Sequence, residues 1–470
     1  MRKKIWTKAA AILTAALVLT GCGGSPASTT AAANATDAPA GTTAAPQTET
    51  GKPSSGTTEL NMWSVWTGSG GEAIQKMADE FNASQSEYKV NVTYSGSYAE
   101  TLAKFQASSA GSRPDMVMVS TESAALFFDN PDYYTPIAKY AEEDSYDMSG
   151  IFNNLKASYT DTEGNWQCLP LGNTVVGFFY NNEVLQKAGV DPASLNSYEE
   201  IEAACQKLAD AGVQYPFVLV QNSIYYTFPL TAEGIDYVDN NNGKDGCPTK
   251  CLLDEEPAAT ATAKYFQFIK NLSSKNQLAP YDLDAADTRQ MFVNGDAAIM
   301  MATCSGLNAI GELAQWNLDF GFHVAPTISK GVENKGQCTG GGVLFIANNG
   351  DENKDRGSWE FMKTMMEPEN TAAFAMATGY LPINQQGADT AEYQKFVEEK
   401  FPTAKDAMAA QMATGEDVYN AILPMFSDFH QIVMDYMAKV VNEPEYTADQ
   451  ATADMAADIN ECIELYNLSK

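Results

Sequence analysis

Residues 63–82 read WSVWTGSGGEAIQKMADEFN. A strand-like opening meets a glycine-rich turn (Gly68, Gly70, Gly71). Then Ile74, Met77, Ala78 and Phe81 recur three to four residues apart, the spacing of a helix with one apolar face. Glycines at a helix start can cradle a phosphate on backbone N–H groups. Here the Lys-Ser/Thr pair of a P-loop is missing, Glu72 places a negative charge beside Gly71, and the G-x-G-x-x-G spacing fails at Ala73. The unit reads as strand, turn and helix without a nucleotide, so the occupant of the turn Thr67–Gly71 has to be sought elsewhere in the chain.

Outward from this unit the alternation continues. Glu59–Trp66 reads as a strand, Gly71–Ala83 as a helix and Lys89–Tyr94 as a strand; Tyr98, Leu102 and Phe105 mark a second helix, and DMVMVS (115–120) a third strand. The rhythm returns in TVVGFFYNNEVLQKAGVD (174–191), in a helix capped by Ser197 and Glu200, and in YPFVLVQ (215–221). It continues through TRQMFVNGDAAIMMAT (288–303) and GGGVLFIAN (340–348), and in a helix broken at Pro368. Residues from Ala404 onward read as mostly helical. Alternation of this kind predicts an α/β fold with parallel sheets, and ligands in such folds sit beyond the carboxyl ends of the strands. Roughly 410 residues after Thr58 exceed one compact core, which predicts two lobes.

The first residues speak to compartment. Arg2, Lys3, Lys4 and Lys8 precede a short apolar run, Ala9–Leu19, that leads into Leu19-Thr20-Gly21-Cys22. The run is too short to span a bilayer. The pattern resembles the lipobox of bacterial lipoproteins, implying a signal peptide over 1–21, a lipid-modified Cys22 and anchoring on the outer face of the cell membrane by two or more acyl chains. Residues 22–58 are dominated by Ser, Thr, Ala, Gly and Pro and read as a disordered tether with a reach of about 30–35 Å.

Sixty acidic against 29 basic residues give a net charge of −31. Such a surface repels nucleic acid and anionic headgroups. Seven cysteines lie beyond Cys22, an odd number that completes no disulfide framework. Cys205 shares an apolar helix face with Ile201 and Leu208; Cys247 and Cys251, in a loop, either pair or stay free. Two histidines, His323 and His430, leave little material for a catalytic triad or a histidine metal site, so no metal or cofactor is expected. Most acids fall in solvated runs such as 142–147.

In this order the segments resemble family 1 of the bacterial extracellular solute-binding proteins, the carbohydrate-binding subunits of ABC importers, across nearly all of 59–470. The resemblance implies a two-lobed periplasmic-binding-protein-like fold without enzymatic activity, in which each lobe is a mostly parallel sheet flanked by helices and the lobes are joined by hinge crossings. It places lobe I at 59–173 and 304–367, and lobe II at 174–303 and 368–470. Its implied partners are a carbohydrate and the membrane subunits of an ABC permease, with the protein itself a monomer. Within the family, the segments are most similar to the glycerol-3-phosphate-binding group. That group implies ligand contacts at Tyr98, Glu122, Asn173 or Thr174, Thr303 or Ser305, Gly341 and Tyr380. Two of its features are missing: the phosphate-binding arginine has no counterpart in EDVYNAILPMFSDFHQ (416–431), and Tyr225-Tyr226 stand where it carries paired tryptophans.

A neutral sugar fits these residues better than a phosphate. Sugars need aromatic faces for C–H surfaces and planar polar groups for hydroxyls. Trp66, Tyr98, Tyr225, Tyr226 and Tyr380 supply the first, and Glu122, Asn173 and Ser305 the second. Strand alternation puts Trp63 and Trp66 on opposite faces, and Trp66, nearer the turn, is the one expected in the cleft. The paired tyrosines also resemble those of ferric-ion binders, but no suitable histidine accompanies them. A secreted glycosidase is the alternative of a different class.

Overall fold

The computed structural model describes residues 56–402 and 404–470. The expected signal peptide, Cys22 and the tether up to residue 55 lie outside the described residues. From there the chain lays down five strands: β1 (Thr58–Ser64), β2 (Tyr88–Tyr94), β3 (Met116–Ser120), β4 (Tyr134–Thr135) and β5 (Leu169–Pro170). It crosses to a second sheet for β6 (Val176–Asn181), β7 (Tyr215–Leu219), β8 (Ala297–Thr303) and β9 (Phe320–Val324), and returns with β10 (Gly342–Ala347). The first sheet is ordered β2-β1-β3-β10-β4, with β5 also on β10; the second is ordered β7-β8-β6-β9. β3 and β10 lie at the centre of the first sheet as almost wholly buried apolar runs, as strands covered on both faces must be.

Both sheets are mixed, a departure from the expected mostly parallel character. β1 runs parallel to β2 and β3, and β7 to β8. β10 is antiparallel to β3, β4 and β5, and β6 to β8 and β9. The antiparallel pairings involve β6 and β10, the strands that follow the two sheet-to-sheet crossings, and these enter their sheets against the direction of the strands already laid down.

The expected lobe boundaries shift for the same reason. The chain does not cross at residue 304: it stays in the second sheet to form β9 and crosses at 325–341. The helix Glu352–Met366 packs on β1 and on the helix Gly68–Ser84, and Pro368–Thr378 packs on both of those helices and on Gln385–Ala388, so residues 368–388 sit with lobe I. An amphipathic helix encodes that it has an apolar face, not which sheet that face meets. Lobe II holds the helices Tyr198–Asp210, Ala258–Ser274, Phe426–Asn442 and Ala448–Leu468 around a core that includes Tyr226, Phe266 and Met437.

The opening glycines have a steric role. The helix begins at Gly68, three residues before expectation, so these glycines form its first turn. A Cβ on Gly70 would sit 2.6 Å from Trp66 Cε3, and one on Gly71 would sit 2.8 Å from the Trp66 carbonyl oxygen. Backbone without side chains is what lets the indole lie across the helix start. The turn that resembled a phosphate cradle holds a tryptophan ring.

All seven described cysteines are free thiols, including Cys247 and Cys251. Cys247 Sγ instead donates to Asn467 Oδ1 at 3.3 Å, and Cys205 is fully buried in the core of lobe II.

Candidate functional site

Gly340, Gly341 and Gly342 lead into β10 where the lobes meet. A Cβ at Gly342 would lie 2.6 Å from the Tyr98 hydroxyl. One at Gly340 would lie 3.4 Å from Phe228 Cζ, and Gly341, with φ of +123°, would bring one to 3.5 Å from Tyr380 Cζ. This side-chain-free stretch is where Tyr98 and Tyr380 of lobe I and Phe228 of lobe II close around one backbone.

Lobe I contributes an aromatic wall. Trp66 meets Tyr380 edge-on at 5.4 Å and Phe374 at 5.9 Å. Tyr98 opens its helix behind Ser97, whose capping box with Glu100 fixes that turn. The Tyr98 hydroxyl lies beside the indole N–H and the Tyr380 hydroxyl. Nevertheless both Trp66 Nε1 and Tyr98 Oη are buried without a hydrogen-bond partner. Burial pushes the Tyr98 and Tyr380 phenols well above their ordinary range.

Glu122 follows β3 on a pinned turn. Thr121 donates to the Gly341 carbonyl oxygen from its N–H at 2.9 Å and its hydroxyl at 3.1 Å, and the hydroxyl also meets Tyr159 Oη at 2.8 Å. Among the described residues no cation pairs with Glu122, and burial raises its carboxyl above the usual range, partly offset by hydrogen bonds from its own N–H and from Ser120. Its charge is felt by Tyr98 and Tyr380 on one side and by Tyr237 on the other.

The facing wall contains residues absent from the sequence-based set. Tyr237, fully buried, donates to Asn420 Oδ1 at 2.6 Å and accepts the Ala421 N–H at 3.0 Å. Thr227 is also fully buried, with its hydroxyl beside the Tyr237 phenol. Thr227 sits inside an apolar helix (IYYTFPLTA) and Tyr237 in an unremarked loop, and no motif surrounds either.

Of the expected residues, Trp66, Tyr98, Glu122, Gly341 and Tyr380 come together. Ser305 stands close by: its carbonyl oxygen would lie 2.8 Å from a Cβ on Gly379, and its hydroxyl meets Thr303 Oγ1 at 2.7 Å. Three others have their side-chain polar atoms engaged within the protein. Asn173, fully buried, exchanges two hydrogen bonds with Asn154 at 3.1 and 3.2 Å and accepts a third from Thr339 at 2.7 Å. Thr174 is bonded to Cys304 Sγ at 3.2 Å. Both are hinge residues, bridged to Leu381 and Gly340. Tyr226 is core: its hydroxyl meets Thr262 at 2.8 Å and its ring stacks on Phe266. Tyr225 is buried at the start of the same helix, within the electrostatic reach of Arg289. Among the described residues no group of three His, Cys, Asp or Glu side chains is placed to hold a metal ion.

These side chains form a buried aromatic cluster with a carboxylate beside the strand that returns to the first sheet. The chain is 27% identical over 357 residues to the sn-glycerol-3-phosphate-binding periplasmic protein UgpB of Yersinia pestis bv. Antiqua (strain Antiqua), covering 73% of this chain and 78% of the relative. It superposes on the UgpB structure from Mycobacterium tuberculosis in complex with glycerophosphocholine with a TM-score of 0.70 at 21% identity, over 88% of this chain and all of the other. It matches the cyclic alpha-maltosyl-1,6-maltose binding protein of Arthrobacter globiformis with a TM-score of 0.69 at 18% identity, over 87% of this chain and all of the other. Residues 76–403 match the model of the bacterial extracellular solute-binding proteins, and the chain belongs to that family.

Proposed function

We propose that this solute-binding protein captures a neutral sugar or oligosaccharide between its lobes and presents it, by lobe closure, to the membrane subunits of an ABC importer. The observation that carries the reading is the aromatic wall of Trp66, Tyr98 and Tyr380 around the unpaired carboxylate of Glu122, with donors at Trp66 Nε1 and Tyr98 Oη left open. A phosphate entering this space would meet a carboxylate and no guanidinium, a costly arrangement once water is excluded. Residues 416–431 carry no Lys or Arg, and the ammonium of Lys104 is already bonded to the Ser95 carbonyl. The function proceeds as a monomer, held to the outer face of the membrane through a lipid on Cys22.

Isothermal titration against a panel of mono- and oligosaccharides tests the ligand. At least one neutral saccharide should bind, and Tyr380→Ala should abolish that binding. A second reading, glycerol 3-phosphate, is favoured by the 27% identity to a protein that binds it. Micromolar binding of glycerol 3-phosphate that disappears in Arg289→Gln would establish this second reading and overturn the first. Anchoring is tested separately, by release of Cys22→Ala from membranes.

A further inference from the structure

The lobes also meet along one rim, and there the contacts between them are polar. Asp129 closes the short helix Ala124–Phe128 of lobe I, held in place by Phe127 stacking on Phe345 at 4.3 Å. Its two carboxylate oxygens accept the Tyr466 hydroxyl at 2.6 Å and the Lys470 ammonium at 2.5 Å. Both partners come from the end of the lobe II helix Ala448–Leu468 and the residues just after it. That end is tied to its own lobe by Asn467, which accepts from Cys247 and donates to the Pro248 carbonyl oxygen at 2.8 Å.

Two further contacts cross the same rim. Lys244 of lobe II donates to the Ala157 carbonyl oxygen of lobe I at 2.5 Å, with its ammonium over the Tyr419 ring. Lys156 of lobe I pairs with Glu416 at 2.8 Å, in the segment that joins lobe II through Tyr419 and Ile422. Between these contacts lies a cavity of about 300 Å³, walled by Asp129, Tyr134 and Gln167 on one side and Lys244, Asp245 and Cys247 on the other. The two lobes are thus not sealed here by a dry apolar seam. They are held at polar points around a gap that admits water.

We propose that these three contacts form a clasp that biases the protein toward the closed arrangement in the absence of ligand, in a salt-dependent way. The physical basis is that two of the three contacts are ion pairs, which at a hydrated rim are made and broken at little cost and are screened by salt, whereas an apolar seam is not. The side chains of Lys156, Glu416 and Lys470 are 38%, 53% and 41% exposed, within reach of counterions, while Asp129 is 16% exposed and anchors the set. A clasp of this kind makes resting closure, and through it apparent affinity for any ligand, a function of ionic strength.

The test uses ligand-free protein, so its outcome does not depend on the ligand's identity. Spin labels on the exposed positions Lys76 in lobe I and Gln206 in lobe II report the inter-lobe distance in 20 mM and 500 mM NaCl. In the wild type the short-distance population should dominate at low salt and fall at least threefold at high salt. In Asp129→Asn/Lys244→Met it should be small at both, with circular dichroism unchanged. Chromatographic removal of any co-purified solute, by partial unfolding and refolding, precedes the measurement. A distance distribution that is the same in wild type and variant, or a wild type that is open at both salt concentrations, overturns the clasp.

Discussion

The hinge and the cleft wall both bury polar side chains, and they treat them in opposite ways. At the hinge, Asn154, Asn173 and Thr339 satisfy one another and leave nothing over. In the aromatic cluster, Trp66 Nε1 and Tyr98 Oη are equally shielded from water and lie beside each other without a well-formed hydrogen bond. A buried polar atom without a partner costs free energy, so a fold keeps several in one place only where something else completes them. Neither burial nor unmet hydrogen-bonding capacity alone distinguishes a binding surface from a structural knot, since Tyr140, Gln337 and Gln411 also carry unpaired buried atoms; it is their coincidence with an aromatic wall and an unpaired carboxylate that singles out this place.

The sharpest way to break this contrast is at the hinge. Asn173→Ala should strand Asn154 and Thr339 and destabilise the fold by about 3 kcal/mol, read as a lower urea midpoint at unchanged m-value. Affinity per folded molecule should hardly move, and a selective loss of binding would make Asn173 a ligand contact after all. Glu122→Gln should do the reverse. Its loss of a charged acceptor should weaken saccharide binding by about 1–3 kcal/mol in titration calorimetry.

The stability of the same variant carries a pH signature. Burial raises the folded-state pKa of Glu122 above its ordinary 4.5, so the folded form holds the proton more tightly than the unfolded form. Glu122's contribution is then complete below that ordinary value and is lost as pH rises through the raised folded value. Glu122→Gln should flatten this fall and melt higher than wild type at pH 7. Tyr98→Phe removes an unpartnered hydroxyl, and should raise stability by about 1 kcal/mol while lowering affinity. The smallest effect is expected from Tyr226→Phe, which loses its bond to Thr262 for about 1 kcal/mol of stability or less and leaves binding unchanged.

Local elements were legible because their causes are local. The periodicity of Ile74, Met77 and Phe81 put those residues on a buried face, and Ser197 caps its helix as its spacing predicts. What the chain does at long range was less legible. β9 (FGFHV) is a short edge strand with no strong alternation, and missing it moved the expected crossing from 325–341 to residue 304. The site divided along the same line. Trp66, Tyr98 and Tyr380 were named from strand ends and resemblance. Tyr226 looks like them in sequence, yet it turns into the core of lobe II, as does its neighbour Tyr225 on a helix buried on nearly every side. Thr227 and Tyr237 were invisible, since which buried side chains of a helix and a loop come together is settled only by folding.

The free thiols add a clock. Cys304 and Cys338 are fully buried on the segments that brace the hinge, beside Thr174 and Thr231, and burial holds both sulfurs in the unreactive protonated form. An alkylating reagent can reach them only while the hinge is sprung or the lobe locally undone. Their labelling rate then measures how often the lobes part, on the natural chain and without an introduced probe. A bound solute should slow that rate in proportion to its occupancy, turning two inconspicuous cysteines into a readout of transport readiness.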